Sequence, residues 1–353
     1  MRYWQRATAG PVRSASVGLA ISVVSFWLLA RAIDRESFVE ALRQTEPALV
    51  AVAVGCLFLS LAAKVARWRA LLPRGAGVSF GGLFAILHVG MLINNVLPLR
   101  VGDVTRVALT ARRPGLRVGH VVSSMVAERA ADGVTLLVCF VAVAPFVAGG
   151  SSFQGGSFGP QLRLAAGALA VVAALGVLAT VTVVATGVRR RLRLGRSLPA
   201  GVAALAGSWE RITARDGWRI WGWSAGAWLG AFAINYALFR AMGLEVSPLL
   251  AVVVTCTTNL AMLVPSSPGH IGVYHAAATV TLVAAGVGTS QAASFGVVSH
   301  LVNVVPVSLV GAGFPASMVL RGQGPRAVLA GAEGGELEAA IAVDAGEVET
   351  PTG

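Results

Sequence analysis

Charged residues are scarce in this sequence. They fill only 12% of the 353 positions, while hydrophobic residues fill 56%; a soluble globular chain carries roughly 25% charged residues. A chain with so little charge cannot cover a water-facing surface of its own size, whereas lipid tolerates apolar side chains that face outward. The composition therefore argues against a soluble enzyme and predicts an all-α polytopic membrane protein.

Motifs for catalysis and metal binding are also missing. The sequence contains no P-loop, dinucleotide-binding fingerprint, nucleophile elbow or HExxH motif. Cys56, Cys139 and Cys256 each lie inside an apolar run, without a CxxC pair or a Cys/His cluster that would indicate zinc. We therefore expect no metal, no cofactor and no catalytic residue. These absences favour a function other than catalysis, and an enzyme stays an open alternative.

Lysine occurs once, at Lys64, so the net charge of +12 comes almost entirely from arginine. The basic residues form short clusters between apolar runs, as membrane topology requires. No stripe of aromatic residues and arginine suggests a base-stacking surface, so we expect no nucleic-acid partner. The abundance of Arg, Ala, Gly and Val suggests a GC-rich bacterial genome.

Uninterrupted apolar runs predict six full membrane spans. They are Val17–Ala30, Pro47–Ala63, Val121–Ala148, Leu162–Val188, Trp218–Met242 and Ala292–Leu320. The first run could instead be a cleaved signal peptide, since Ala30-Arg31-Ala32 loosely resembles a cleavage site, but the central arginine favours an uncleaved helix. Within the fifth run, Gly222, Gly226 and Gly230 recur every four residues, a spacing that suits close helix packing.

The distribution of arginine predicts the orientation. Basic residues without acids follow the second run at positions 64–74, and further arginines follow the fourth and sixth runs. The positive-inside rule then places both termini in the cytoplasm of the cell inner membrane. We predict an interfacial helix at Leu198–Gly217, a transmembrane domain at 1–321 and a disordered acidic cytoplasmic tail at 322–353.

Two further apolar stretches are interrupted. Phe80–Leu97 and Val101–Ala111 flank one break, and Pro248–Val264 and Ile271–Val287 flank another. If Phe80–Leu97 crossed the membrane, the following arginine cluster would lie outside, so the charge rule favours two re-entrant hairpins in an inverted-repeat arrangement over ordinary full spans. The predicted structural breaks are Pro98, Gly102, Pro265, Pro268, Gly269 and Gly272.

Polar residues in and near these breaks form three candidate groups. Arginine can bind a phosphate with two hydrogen bonds, and an acid can hold it in position; the first group could otherwise be a cytoplasmic loop in water. Charges inside a membrane helix indicate function by default, although a helix that began near Gly133 would leave the second group at the interface. The predicted substrate-binding residues are Asn94, Asn95, Arg100, Asp103 and Arg106, then Glu128, Arg129 and Asp132, then Tyr274 and His275.

The third group has simpler interpretations as well. A histidine there could titrate near neutral pH, but an isolated histidine more often makes a local hydrogen bond. Tyr274 could equally be an anchor at the membrane interface.

Three motifs at these positions resemble the flippase-like membrane domain of lysylphosphatidylglycerol synthases. They are NNVLPLRVGDVTR at 94–106, VAERAAD at 126–132 and PSSPGHIGVYHAA at 265–277. The chain departs from the family pattern at His275, where a glutamate is expected, and near His300, where an arginine is expected. The segment after Arg321 could not fold into an aminoacyltransferase, so the resemblance implies lipid translocation and not lysyl transfer by this chain.

The sequence therefore predicts a transporter that moves an anionic phospholipid or lipid-linked intermediate between leaflets. Arg100, Arg106 and Arg129 would bind the head group, and the neighbouring acids would position them or relay protons. One alternative is a membrane-embedded subunit of a lipid-modifying transferase, with a separate soluble transferase as its partner. Another is an assembly factor for envelope lipids.

Overall fold

The computed structural model describes residues 35–73, 77–97, 100–113, 116, 118–148, 214–262 and 268–320. The predicted spans Val17–Ala30 and Leu162–Val188, most of the predicted helix at Leu198–Gly217, and the tail at 322–353 lie outside the described residues. Pro98 and Pro265 lie outside them too. Every regular element in the described part is a helix.

The helices, in chain order, are α1 Arg35–Arg43, α2 Pro47–Leu71, α3 Phe80–Val96, α4 Val101–Ala111, α5 Val118–Ala148, α6 Ala214–Ala241, α7 Pro248–Ala261, α8 Val273–Ala284 and α9 Thr289–Leu320. A short 3₁₀ turn, Pro268–His270, precedes α8. Two stretches, Pro47–Leu71 and Thr289–Phe314, are long and apolar enough to cross a membrane. The described fold thus agrees with the predicted class of helical membrane protein.

Local capping explains where several helices begin. The Ser79 hydroxyl accepts a hydrogen bond from the Gly82 amide at 3.0 Å and starts α3. The Ser247 hydroxyl accepts one from the Leu249 amide at 3.3 Å, and Pro248 occupies the first position of α7. Because these signals are local, the predicted starts at Phe80 and Pro248 match the structure.

The antiparallel pair of α2 and α6 forms the centre of the described bundle. The Glu46 amide donates to the Ala241 carbonyl at 2.8 Å, and the Ser60 hydroxyl donates to the Ala227 carbonyl at 2.7 Å. A Cβ atom added at Gly230 would lie only 2.8 Å from the Ser60 Cβ. Small residues therefore let the two backbones approach closely, as the glycine spacing predicted.

The first interrupted stretch folds back on itself. A Cβ atom at Gly102 in α4 would overlap the Gly90 carbonyl in α3, and one at Gly82 would lie 3.9 Å from the Arg113 guanidinium. Pairing of early with late residues makes α3 and α4 an antiparallel hairpin. Its base lies at the end of the bundle where α2 ends, because only residues 72–79 connect α2 to α3.

The second interrupted stretch also forms a hairpin. The Thr281 hydroxyl of α8 donates to the Thr257 hydroxyl of α7 at 2.9 Å. Residues 242–247 connect α6 to α7, so the base of this hairpin lies at the opposite end of the α2–α6 pair. The two tips meet, because Arg100 Nη2 donates to the Met262 carbonyl at 2.8 Å.

The long helix α9 packs along α8 and α3 and closes the described bundle. The Asn95 amide donates to the Ser308 hydroxyl at 3.1 Å, and the rings of Phe239 and Phe295 lie 4.7 Å apart. The largest fully buried apolar side chains in the described part are Trp68, Phe239, Phe295, Leu61, Leu83, Leu238, Leu250 and Leu282. The first hairpin thus packs against α2 and α9, and the second packs against α6 and α9.

Candidate functional site

Six ionised side chains from α2, α4 and α5 form a chain of alternating charge. We call this set the charge network; in order it comprises Arg129, Asp103, Arg106, Glu128, Arg67 and Asp132. Its members come from α4 and α5, which follow each other in the sequence, and from the more distant α2. The network runs from a half-exposed end at Arg129 to a fully buried arginine at Arg67.

The buried end is tightly held. Arg67 Nη1 lies 2.7 Å from Asp132 Oδ1 and 3.1 Å from the Ser224 hydroxyl, and the Trp228 indole N–H donates to the same carboxylate oxygen at 3.2 Å. The Arg67 side chain has no exposed surface. Desolvating an ion pair is costly unless further hydrogen bonds compensate, and Ser224 and Trp228 supply them here.

The middle of the network is a second buried pair. Arg106 Nη2 lies 3.2 Å from Glu128 Oε2, and both side chains are almost completely buried. The Arg106 guanidinium also lies 4.4 Å from the ring centroid of Trp68, a favourable cation–π distance. The Trp68 indole is fixed in turn by a 3.1 Å hydrogen bond to the Ser124 hydroxyl.

The open end is loosely held. Arg129 Nη2 lies 3.4 Å from Asp103 Oδ2, and the Arg129 side chain is 55% exposed. Asp103 also lies 3.9 Å from Arg106 Nη1. The Asn94 side chain connects α3 to this end, since its amide donates to Asp103 at 3.3 Å and its carbonyl accepts from the Gly102 amide at 2.8 Å.

The network has more hydrogen-bond donors than acceptors. Arg67 Nε and Nη2 and Arg106 Nε are buried without a hydrogen-bond acceptor in the described part of the chain. Lys64 lies within electrostatic range of Asp132 and Arg67 but forms no ion pair with a described carboxylate. Three buried arginine nitrogens thus lack an acceptor in the described part of the chain, an arrangement suited to binding an anion.

Six of the predicted site residues meet in or beside this network: Asn94, Asp103, Arg106, Glu128, Arg129 and Asp132. Both simpler interpretations of these residues are wrong. The segment around Arg106 is not a loop in water, because α4 buries that side chain. The fifth helix does not begin near Gly133, because α5 already starts at Val118.

Arg67 was not predicted as a site residue, because the sequence suggested an arginine in water after the second apolar run. The second run was predicted to end at Ala63, whereas α2 continues to Leu71. The Arg67 side chain is stable in the protein interior because the carboxylates of Asp132 and Glu128 neutralise its charge. The available signal was the Arg67-Trp68 pair, which continues the helical register beyond the apolar run.

The other predicted residues lie around the hairpin tips and not in the charge network. Arg100 bonds to the Met262 carbonyl and has left-handed backbone geometry with a φ of 55°, a strained conformation that is frequent at functional sites. Asn95 bonds to Ser308. The predicted binding residues are therefore divided between two places.

Tyr274 and His275 form an aromatic group with His300. The Tyr274 and His300 rings stack at 5.1 Å, and the His275 and His300 rings meet edge to face at 4.7 Å. The predicted local bond of His275 is present, since the Gly272 amide donates to its Nδ1 at 3.2 Å. The two departures from the family pattern, His275 and His300, thus contact each other.

The second break has the irregular backbone predicted for it. Gly269 and Gly272 have φ angles of 66° and 91°, which glycine adopts without strain. The Gly269 carbonyl bonds to His300 Nε2 at 2.8 Å. Pro268 begins the 3₁₀ turn that connects this break to α8.

The comparisons with known proteins place the chain in a family. No solved structure matches it. It is similar to Glycosyltransferase AglD of Haloferax volcanii, with 28% identity over 351 residues that cover 88% of this chain and 56% of that protein, so the chain spans only about half the length of this relative. The profile of the lysylphosphatidylglycerol synthase TM region matches residues 16–311. As its three motifs predicted, the chain is a membrane protein of the lysylphosphatidylglycerol synthase TM region family.

Proposed function

We propose that the protein is a lipid transporter that moves an anionic phospholipid or an anionic lipid-linked intermediate between the leaflets of the cell inner membrane. The observation that carries this proposal is the charge network, in which three arginines alternate with three carboxylates and three buried arginine nitrogens have no acceptor in the described part of the chain. Buried donors without acceptors are costly. A phosphate would accept hydrogen bonds from these spare arginine donors.

The two hairpins support a transport mechanism. They enter the bundle from opposite ends, and their tips meet at Arg100 and Met262. Their shortest helices, α4 and α8, contain 11 and 12 residues, fewer than the roughly 20 residues that cross a bilayer. We propose that both are re-entrant hairpins, accompanied by six full spans, and that their relative movement opens the site to each leaflet in turn.

The outer surface of the described helices suits a lipid environment. Leu59, Leu309 and Val280 each expose more than 60% of their surface. In a membrane, these side chains would contact acyl chains. A lipid could therefore keep its tails outside the bundle while its head group enters at the half-exposed Arg129.

A transferase subunit is the second candidate function. The observation that favours it is the similarity to a protein named as a glycosyltransferase, whose length exceeds the matched region. In this case the charge network would hold a lipid phosphate while a separate soluble transferase modifies the lipid. The two candidates differ in whether the bound lipid crosses the bilayer.

Transport can be tested with the purified full chain in liposomes that contain fluorescent anionic or zwitterionic lipids. We expect the protein to accelerate the transbilayer movement of the anionic lipids, and Arg106→Gln to reduce that rate at least about tenfold, since a hydrogen bond between a guanidinium and a phosphate contributes about 1.5–3 kcal/mol. Arg69→Gln is the matched control, because Arg69 is exposed on α2 and lies outside the network.

A second variant separates loss of function from misfolding. Arg129→Gln removes a half-exposed cation, so it should slow transport severalfold while leaving the melting temperature nearly unchanged. Movement of every anionic lipid at the protein-free rate would refute the transporter. Retained binding without movement would favour the transferase subunit.

A further inference from the structure

We propose that Asp103 is an internal competitor for the anionic group of the substrate. Its carboxylate neutralises Arg129 and Arg106 until a lipid phosphate replaces it. This inference rests on the proposed function and adds the way in which the site selects its substrate. Asp103 then acts as a specificity-determining residue.

The ion-pair distances identify Asp103 as the most easily displaced carboxylate. It lies 3.4 Å from Arg129 and 3.9 Å from Arg106, whereas charge-assisted hydrogen bonds are usually about 2.7–2.9 Å long. Asp132 lies 2.7 Å from Arg67, and Glu128 lies 3.2 Å from Arg106. Asp103 is also the most exposed of the three acids, with 23% of its side-chain surface accessible.

Asp103 has another partner that does not depend on the arginines. The Asn94 amide donates to its Oδ1 at 3.3 Å, and the Asn94 carbonyl is itself fixed by the Gly102 amide. The carboxylate also lies in the first turn of α4, where the helix dipole favours negative charge. Asp103 can therefore release the arginines and still remain stabilised as an anion.

Competition with a carboxylate would make the site selective. A phosphate diester can accept two bonds from one guanidinium, so it can replace Asp103 on Arg129. A zwitterionic head group would bring its own ammonium close to the same arginines, and like charges oppose binding. Neutral and zwitterionic lipids would then leave Asp103 in place.

The test uses Asp103→Asn, which keeps the shape of the side chain and removes its charge. The dissociation constants of fluorescent phosphatidylglycerol and phosphatidylcholine are measured on the purified full chain in detergent. We expect the variant to bind phosphatidylglycerol about three- to fivefold more tightly, a factor consistent with loss of a partly exposed ion pair. The preference for phosphatidylglycerol over phosphatidylcholine should fall.

Glu245→Gln is the matched control, because it removes the same charge from an exposed loop residue outside the network. It should leave both dissociation constants unchanged, and equal tightening in this control would overturn the inference. Weaker binding by Asp103→Asn would show that Asp103 positions the arginines, and the proposed function would stand. If the wild-type chain bound neither lipid above background, the proposed function itself would fail.

Discussion

Arg67 and Asp132 provide a prediction at the scale of single residues. Their 2.7 Å pair is buried, and Arg67 also contacts Ser224. Arg67→Gln should lower the free energy of unfolding by about 3–5 kcal/mol, because Asp132 would remain buried without its cation. Denaturant titration of the purified protein in mixed micelles would measure the loss.

A double-mutant cycle distinguishes pairing from general damage. In the variant Arg67→Gln with Asp132→Asn, neither position carries a charge, so part of the lost stability should return. Additive losses in the double variant would contradict a specific pair. Exposed Arg69, two residues along the same helix, is the control position and should tolerate glutamine.

Single residues also show what sequence could not reveal. The motifs around Asp103 and Glu128 were recognisable because carboxylates are rare in apolar runs. Arg67 was not, because its burial depends on Asp132, which lies 65 positions away in the chain. A count of cytoplasmic charges treats every arginine at the end of a run as solvated, and only tertiary contacts separate Arg67 from its exposed neighbour Arg69.

At the scale of helices, sequence predicted the elements whose signals are local. Serine and proline set the starts of α3 and α7, and breaks in the apolar pattern indicated both hairpins. The predicted end of α2 was wrong by eight residues, because the helix continues beyond Ala63 through polar residues that the apolar run did not include. The helix α1 was missed, since its acids and arginines resemble an external loop.

The glycines of α6 give a graded prediction about helix packing. A Cβ atom at Gly230 would lie 2.8 Å from the Ser60 Cβ, one at Gly226 would lie 3.7 Å from the Ala63 Cβ, and one at Gly222 would meet nothing within 4 Å. Gly230→Ala should therefore cost about 1–3 kcal/mol through overpacking. The other two alanine variants should be neutral or up to about 1 kcal/mol more stable, because alanine favours helix.

Thermal unfolding in detergent would rank the three variants. All three glycines lie in α6, so the gain in helix propensity on substitution by alanine is the same for the three variants. Only the distance from the added Cβ atom to α2 differs. If Gly222→Ala were as damaging as Gly230→Ala, close contact between α2 and α6 would not be the cause.

At the scale of the whole molecule, the described residues place the bases of the two hairpins at opposite ends of the α2–α6 pair, although the two hairpin sequences show no obvious similarity. This placement follows from connection lengths: α3 follows the end of α2 after a short link, and α7 follows the end of α6, which runs antiparallel to α2. Each hairpin therefore begins at a different end of the same helix pair. Sequence indicated this arrangement through arginine clusters, but the contact between the tips depends on the packed fold.

Cysteine labelling tests this arrangement in a membrane. In a background without the three native cysteines, Glu245→Cys lies beside the base of the second hairpin and Arg113→Cys beside the base of the first, and both positions are exposed. With the cytoplasmic orientation that the arginine clusters predict, an impermeant thiol reagent should label position 245 in intact cells. Position 113 should react only after permeabilisation.

Arg219→Cys is the control for this experiment, because α6 begins at the same end of the bundle as the base of the first hairpin. It should behave like position 113, whatever the absolute orientation of the protein. Reaction of positions 113 and 245 from the same side of the membrane would contradict the inverted hairpins, since α3 would then have to cross the bilayer without a return through α4. An exchange of the two patterns would reverse the orientation but preserve the arrangement, because the opposition of the two hairpin bases follows from the α2–α6 pair and not from the charge rule.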